Sequence, residues 1–283
     1  MKLASFAKLN LSLLVFAPNA RGYHPICSVF QTISLADTLD IEKTTAPGFQ
    51  LRTTPSIPDG GQNILEKIYS HFADSIPFGI SASLSKVIPF GAGLGGGSSN
   101  AAAFLRYLNQ EAGWSLSLEA LKKRALPFGA DIPFFIEGGT ALVRGIGEKM
   151  RPLEAGPWKA FVLICPPIHC NTAAVYKAFD ATPAATKKPG PTPKALLTTH
   201  LGPNDLKEPV FALDPRFGAI ENTLLEAGLG QVLMSGSGST LFVPFQSPAA
   251  AAQALPKIAD VLAPHQVQVH LVETVGVGSL EIA

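Results

Sequence analysis

Charge is scarce in this chain: Asp, Glu, Lys and Arg make up 15% of its 283 residues, and the formal net charge is +1. No basic field therefore points to nucleic acid, and no acidic one to a cationic partner. Any anion has to be held by local geometry. Long apolar runs are missing too. The longest early one, Leu9 to Ala17, is interrupted by Asn10 and Ser12 and falls short of the roughly 20 residues needed to cross a bilayer. With Lys8 and Asn10 breaking its apolar core, this segment makes a poor secretory signal, and none is expected. Cysteine is rare and unpatterned. Cys27, Cys165 and Cys170 are an odd set without CxxC spacing, which argues against a zinc site and suits reduced thiols in a cytoplasm. What the chain has in quantity is apolar residues, at 47%, enough to build the cores of about two ordinary domains.

The first half reads as mixed sheet and helix. Ser5–Val15 alternates as a strand, Pro18–Gly22 turns, Ile26–Leu35 is a second strand, and Leu39–Glu42 and Phe49–Arg52 are shorter ones. Pro55 to Gly61 is a loop, and Asn63 starts a helix to about Phe72 with Ile64, Leu65, Ile68 and Phe72 on one face. Ile80–Ile88 alternates again. Helices are expected over Ser98–Glu111 and Ser117–Leu126, then a turn at Gly129–Pro133 and a strand at Thr140–Arg144. A shift in composition near Glu154–Pro157 divides the chain into residues 1–154 and 155–283. Beyond it, Lys159–Cys165 reads as a buried strand, Thr172–Phe179 as a short helix, and Ala181–Lys194, rich in Pro, Thr and Ala, as a segment that loops out. Asn204–Leu229 is helical in pieces. Gln231–Ser235 and Thr240–Phe245 flank Gly236-Ser237-Gly238-Ser239, Pro248–Leu262 is helical, and Gln266–Thr274 is a closing strand. The order suits an α+β fold whose second half is a small sandwich, and no internal repeat is present.

One stretch stands out: Pro89-Phe90-Gly91-Ala92-Gly93-Leu94-Gly95-Gly96-Gly97-Ser98-Ser99 runs straight into Asn100 and an alanine tract. Five glycines are entropically expensive unless backbone must come close to something. At the start of a helix, where unpaired N–H groups and the positive dipole end point outward, that something is an anion, and the stretch predicts a phosphate-binding loop. Ser98 or Ser99 could cap the helix or lend a hydroxyl to a phosphate or its metal. The letters also satisfy G-x-G-x-x-G, but the preceding strand alternates, Pro89 intervenes and no βαβαβ succession surrounds it, so a dinucleotide fold is disfavoured. No Gly-Lys-Ser/Thr closes it, which excludes a Walker A loop.

The loop has company. Ala7-Lys8-Leu9-Asn10-Leu11 before it and Ser235-Gly236-Ser237-Gly238-Ser239-Thr240 after it resemble, in order and spacing with the loop itself, the three motifs of the GHMP kinases of small metabolites. Gly22-Tyr23-His24, Gly129-Ala130-Asp131-Ile132-Pro133 and Arg144-Gly145-Ile146-Gly147-Glu148 resemble the branch that acts on 4-diphosphocytidyl-2-C-methyl-D-erythritol. That branch commonly has an acidic residue before Gly-Tyr-His, where this chain has Arg21. The resemblance implies a two-domain fold, with a ribosomal S5 domain 2-like N-terminal domain and a ferredoxin-like C-terminal domain. It implies ATP as phosphoryl donor, with Mg2+, acting on the 2-hydroxyl of the cytidine-diphosphate substrate, a step of the non-mevalonate isoprenoid pathway. A cytoplasmic enzyme, monomer or weak homodimer, is expected, working on a small molecule and on neither membrane nor nucleic acid.

Roles follow from the resemblance. Asp131 takes the catalytic aspartate's place, as general base for the acceptor hydroxyl, and Lys8 sits beside it as electrostatic partner. Asn10, two residues on, would face the same side of a strand and orient the acceptor. Tyr23 would stack on the cytosine while His24 hydrogen-bonds its Watson–Crick edge. Tyr176, downstream of Thr172, would complete the aromatic sandwich. Asn63 aligns with an asparagine near the nucleotide site and is equally an ordinary helix N-cap. No carboxylate cluster reveals metal ligands.

Overall fold

The computed structural model describes residues 1–56, 62–190 and 192–282. Residues 57–61 of the expected Pro55–Gly61 loop lie outside them. The first sheet is built from β1 (Lys2–Val15), β2 (Ile26–Thr44), β3 (Phe49–Thr54), β4 (Gly79–Ser85), β5 (Thr140–Gly145) and β6 (Lys149–Pro152). Alternation sorts the side chains of β1. Leu9 and Leu11 join Phe161, Leu163 and Phe242 in a core between two sheets, while Lys8 and Asn10 stand on the opposite face and are buried despite their polarity. β2 runs as one strand where two were expected. β1 pairs along nearly all of it, through a register shift between Phe6 and Ala7, and carries it past Ala36-Asp37-Thr38. Its beginning pairs with β5 and its end with β4.

Four helices cover the outer face: α1 (Ile64–Phe72), α2 (Gly96–Glu111), α3 (Leu118–Ala125) and α4 (Ile132–Glu137). Phe104, Leu108, Phe134 and Phe135 from α2 and α4 bury against Phe30, Leu39 and Ile41 of β2. The turn expected at Gly129–Pro133 leads into α4, where Pro133 sits in the first turn, a position that has no hydrogen-bond donor to lose.

The second sheet comprises β7 (Ala160–Cys165), β8 (Leu233–Met234), β9 (Leu241–Phe245) and β10 (Gln268–Glu273), antiparallel in the order β10-β7-β9-β8. That is the strand order of a ferredoxin-like unit. α5 (Thr172–Asp180), α6 (Lys194–Thr198), α7 (Lys207–Leu213), α8 (Arg216–Glu226) and α9 (Pro248–Leu262) complete this half. Val175, Phe179, Val210, Phe217 and Ile258 form its core. Two expectations change. The segment 181–194 does not simply loop out: Ala185 is buried, Lys187 accepts from the Ala17 N–H at 2.7 Å and Arg144 donates to the Gly190 carbonyl at 3.0 Å. The last strand, β11 (Ser279–Glu281), counted above with residues 155–283, pairs with β1 in the first sheet.

Candidate active site

Lys8 is the only residue of its neighbourhood on β1 that carries a charge, and it is 4% exposed. Its Nζ lies 3.8 Å from Asp131 Oδ2 and 4.8 Å from the centre of the Phe30 ring, and it also donates to Asn10 Oδ1. Burial pushes the lysine pKa down, and the Asp131 carboxylate opposes that shift. Asn10 is locked from behind by Ser28, whose Oγ accepts from Nδ2 at 3.0 Å, and its backbone N–H donates to Ser235 Oγ at 3.1 Å. The amide oxygen is thereby aimed at the ammonium. Asp131 itself, at the start of α4, keeps a side chain 35% exposed, so it can meet a substrate.

The glycine stretch wraps the same space. Leu94 accepts from the Lys8 N–H at 2.9 Å, Ala92 accepts from the Thr240 N–H at 3.2 Å, and Gly93 accepts from Ser235 Oγ at 3.0 Å. The three sequence motifs are thus hydrogen-bonded to one another. Gly93 has φ +75°, and a Cβ there would lie 2.2 Å from the Ser235 carbonyl oxygen, so only glycine allows the two glycine turns to touch. The helix after the loop starts at Gly96, two residues earlier than expected, with Gly95 in the left-handed region and no side-chain cap. Neither Ser98 nor Ser99 caps it. The first-turn N–H groups are left to a ligand or water.

Lys8, Asn10, Asp131, Gly91, Gly93, Gly95, Thr172 and Tyr176 line one cavity of 290 Å³ together with Ser237 and Leu206. Thr172 Oγ1 and Ser237 Oγ are 2.9 Å apart, joining α5 to the late glycine-serine turn. Burial, and after it the Asp131 charge, push the Tyr176 phenol up to about 12, so the ring offers a neutral hydroxyl. Pro89, Phe90 and Ala92 face a neighbouring cavity of 350 Å³ beside His169. Ile26 also borders a wider groove of 990 Å³, with Phe16, Asn19, Pro25 and Arg144.

Three of the residues expected at the site do not line the cavity of Lys8 and Asp131. Tyr23 is 59% exposed and is not among the residues that line that cavity. Both nitrogens of the His24 ring lie beside acceptors of the chain: Nδ1 is 2.8 Å from the Phe16 carbonyl oxygen and Nε2 is 3.1 Å from Asp180 Oδ1. His24 also packs on Tyr176, with ring centroids 5.4 Å apart. Asn63 caps α1, its side-chain oxygen accepting from the Leu65 N–H at 2.9 Å while Glu66 closes the capping box at 2.8 Å.

Comparison with known proteins bears on this constellation directly. Residues 63–139 match the model of the GHMP kinases N terminal domain, and residues 191–263 that of GHMP kinases C terminal. The chain belongs to the GHMP kinases. It is 37% identical over 268 residues to a 4-diphosphocytidyl-2-C-methyl-D-erythritol kinase of Solidesulfovibrio magneticus, covering 88% of this chain and 89% of the relative. It is 38% identical over 254 residues to the protein of that name in Thermotoga maritima, covering 85% and 90%. The crystal structure of a 4-(cytidine 5'-diphospho)-2C-methyl-D-erythritol kinase superposes with TM-score 0.77 at 32% identity, over 96% of this chain and 99% of that one. A homoserine kinase from Cytophaga hutchinsonii, at TM-score 0.73 and 18% identity, shares the fold. As a GHMP kinase, the chain is a small-molecule phosphotransferase.

Ser28 and Phe30, which flank the Lys8–Asn10 pair in this kinase, were not singled out as site residues from sequence. Serine and phenylalanine inside alternating strands carry no signal of their own. Only the pairing of β1 with β2 brings them to the site.

Proposed function

We propose that this GHMP kinase transfers the γ-phosphoryl group of ATP to the 2-hydroxyl of 4-diphosphocytidyl-2-C-methyl-D-erythritol, a step of the non-mevalonate route to isoprenoid precursors. The observation that carries the chemistry is the pair Lys8–Asp131, 3.8 Å apart in a cavity walled by the glycine loop on one side and Tyr176 on the other. GHMP kinases use ATP as donor; the triphosphate would lie along residues 89–99 against the first turn of α2. Asp131 accepts the hydroxyl proton as the acceptor oxygen bonds to phosphorus. The bond from phosphorus to the bridging oxygen breaks, and ADP leaves with that electron pair. Lys8 offsets the negative charge that gathers on the transferring group. Asn10 orients the acceptor, Thr172 and Ser237 close over it, and Tyr176 stacks on the cytosine. His24 acts by bracing Tyr176 and Asp180, and Tyr23 reaches the base from the exposed rim.

Among the described residues no three of His, Cys, Asp or Glu converge on a point. Mg2+ takes most of its ligands from phosphate and water; Ser98 or Ser99 would lend it a hydroxyl, and the ion would neutralise phosphate charge. The proposal carries with it two lobes, residues 1–154 and 155–283 with β11 returned to the first, and a cytoplasmic monomer or weak homodimer. The test is ADP release by the purified protein with ATP and Mg2+, comparing the cytidine substrate with mevalonate, homoserine and galactose. Turnover of the cytidine substrate alone is expected. Turnover of one of the others with the cytidine compound left untouched would overturn the substrate assignment.

A further inference from the structure

Behind the glycine loop lies a second charged pair that the transfer step does not use. Asp37, on β2, is 0% exposed, and its partner Lys86 has a side chain only 5% exposed. A buried ion pair contributes little net stability after desolvation, so its place in a chain with so few charges calls for another reason. The hydrogen bonds supply one. Asp37 Oδ1 accepts from the backbone N–H groups of Val87 at 2.7 Å and Ile88 at 2.8 Å, the residues that lead into the loop. Asp37 Oδ2 accepts from Lys86 Nζ and, at 2.9 Å, from Asn100 Nδ2, on α2, where the loop ends. Lys86 Nζ in turn donates to Asn100 Oδ1 at 3.1 Å, and Asn100 Nδ2 donates to Ser5 Oγ at 2.7 Å.

Both ends of the glycine loop are therefore tied to a single carboxylate. The lysine presses on the loop as well: its Nζ lies 5.3 Å from the centre of the Phe90 ring, and a Cβ on Gly96 would come 3.0 Å from it. None of the three side chains lines the cavity of Lys8 and Asp131. We infer that Asp37, Lys86 and Asn100 form a positioning unit that holds the two ends of the phosphate loop at the spacing ATP requires, and that they set nucleotide affinity without touching nucleotide. The inference rests on the assignment of the loop to ATP made above. A glycine loop has little stiffness of its own, and a displacement of about 1 Å at such a site costs on the order of 100-fold in rate.

The test uses an exchange of partners. In Asp37→Asn, two amide NH2 groups face each other and Lys86 loses its counter-ion. In the double variant Asp37→Asn/Asn100→Asp, the asparagine oxygen at 37 still accepts from residues 87 and 88. Its amide now donates to the aspartate at 100, which also pairs with Lys86 and accepts from the Ser5 hydroxyl. The single variant is expected to raise KM for ATP about tenfold, with KM for the acceptor changed less than about twofold, and the double variant to recover most of the ATP effect. Should Asp37→Asn fail to fold by circular dichroism, Asn100→Ala, which leaves the ion pair intact and frees only the helix side of the loop, takes its place with the same expectation. An unchanged KM for ATP in a folded variant, an equal rise for both substrates, or no recovery in the exchange variant overturns the inference. Gly93→Ala is measured alongside. If it too leaves KM for ATP unchanged, the loop is not the ATP site and the assignment beneath the inference fails; if it weakens ATP while Asp37→Asn does not, the positioning unit alone fails.

Discussion

Lys8 is pulled two ways, by burial that favours the neutral amine and by Asp131 that favours the ammonium, and burial is the larger influence. If the ammonium is the working form, activity falls as pH rises through the lysine pKa. The alkaline limb of the kcat/KM profile should then lie below the range of an exposed lysine. Asp131→Asn removes the opposing charge, lowers the lysine pKa further, and should move the limb of the residual activity to lower pH. A limb that stays put or moves upward would exclude Lys8 as its source. The same substitution should cut kcat by about 100-fold or more while ATP binding, followed by titration calorimetry, is retained. Unchanged turnover would rule out Asp131 as base. The two-residue spacing of Lys8 and Asn10 was legible as a shared face, and the structure puts them in hydrogen-bond contact. The hydrogen-bond partners of the His24 ring were not legible, because the Phe16 carbonyl, just past the end of β1, and Asp180, at the end of α5, are brought to it only by the fold.

At the scale of elements, local signals carried far. Asn63 followed by Glu66 announces a helix start, and the capping box is there. Asn63→Ala should cost about 1 kcal/mol of stability, read as a drop in Tm. Asn63→Ser keeps a cap oxygen and should hold Tm while raising KM for ATP if the residue also meets the nucleotide; an unchanged KM would confine Asn63 to the cap. The helix after the glycine loop was legible to within two residues, and the miss has a physical cause. Serine is the better cap by propensity, yet the chain turns at Gly95 because a Cβ there would come 2.7 Å from the Phe135 ring. Ala36-Asp37-Thr38 falls between the two strands expected at Ile26–Leu35 and Leu39–Glu42, and aspartate is disfavoured in a strand. It is kept in β2 by the four donors that surround its carboxylate.

Across the whole molecule, the chain's last strand closes the first sheet after the second has been built. Gly278 sits at that closure: Phe6 donates to its carbonyl at 3.1 Å, its own N–H donates to Glu137 at 3.1 Å, and a Cβ on it would lie 1.8 Å from the Phe135 carbonyl oxygen. Gly278→Ala must move backbone that also supports Gly95 through Phe135. It should destabilise the protein by about 3 kcal/mol, seen as a lowered midpoint in urea, with ATP affinity reduced in the fraction still folded. A midpoint equal to that of the parent would show that the closure is not needed.

By itself the sequence determined what depends on near neighbours: alternating strands, helix starts, a glycine loop running into a helix, and three ordered motifs that name a kinase family. Tertiary structure decided which of those residues meet and which lose their solvent. Lys8 is enclosed despite its charge; the His24 ring lies between the Phe16 carbonyl and Asp180; Asp37 ties down both ends of the loop. The reason is one of range. Backbone propensity is settled within a few residues, whereas burial and partnership are settled by contacts between segments far apart in the chain, and these exist only once both sheets have closed.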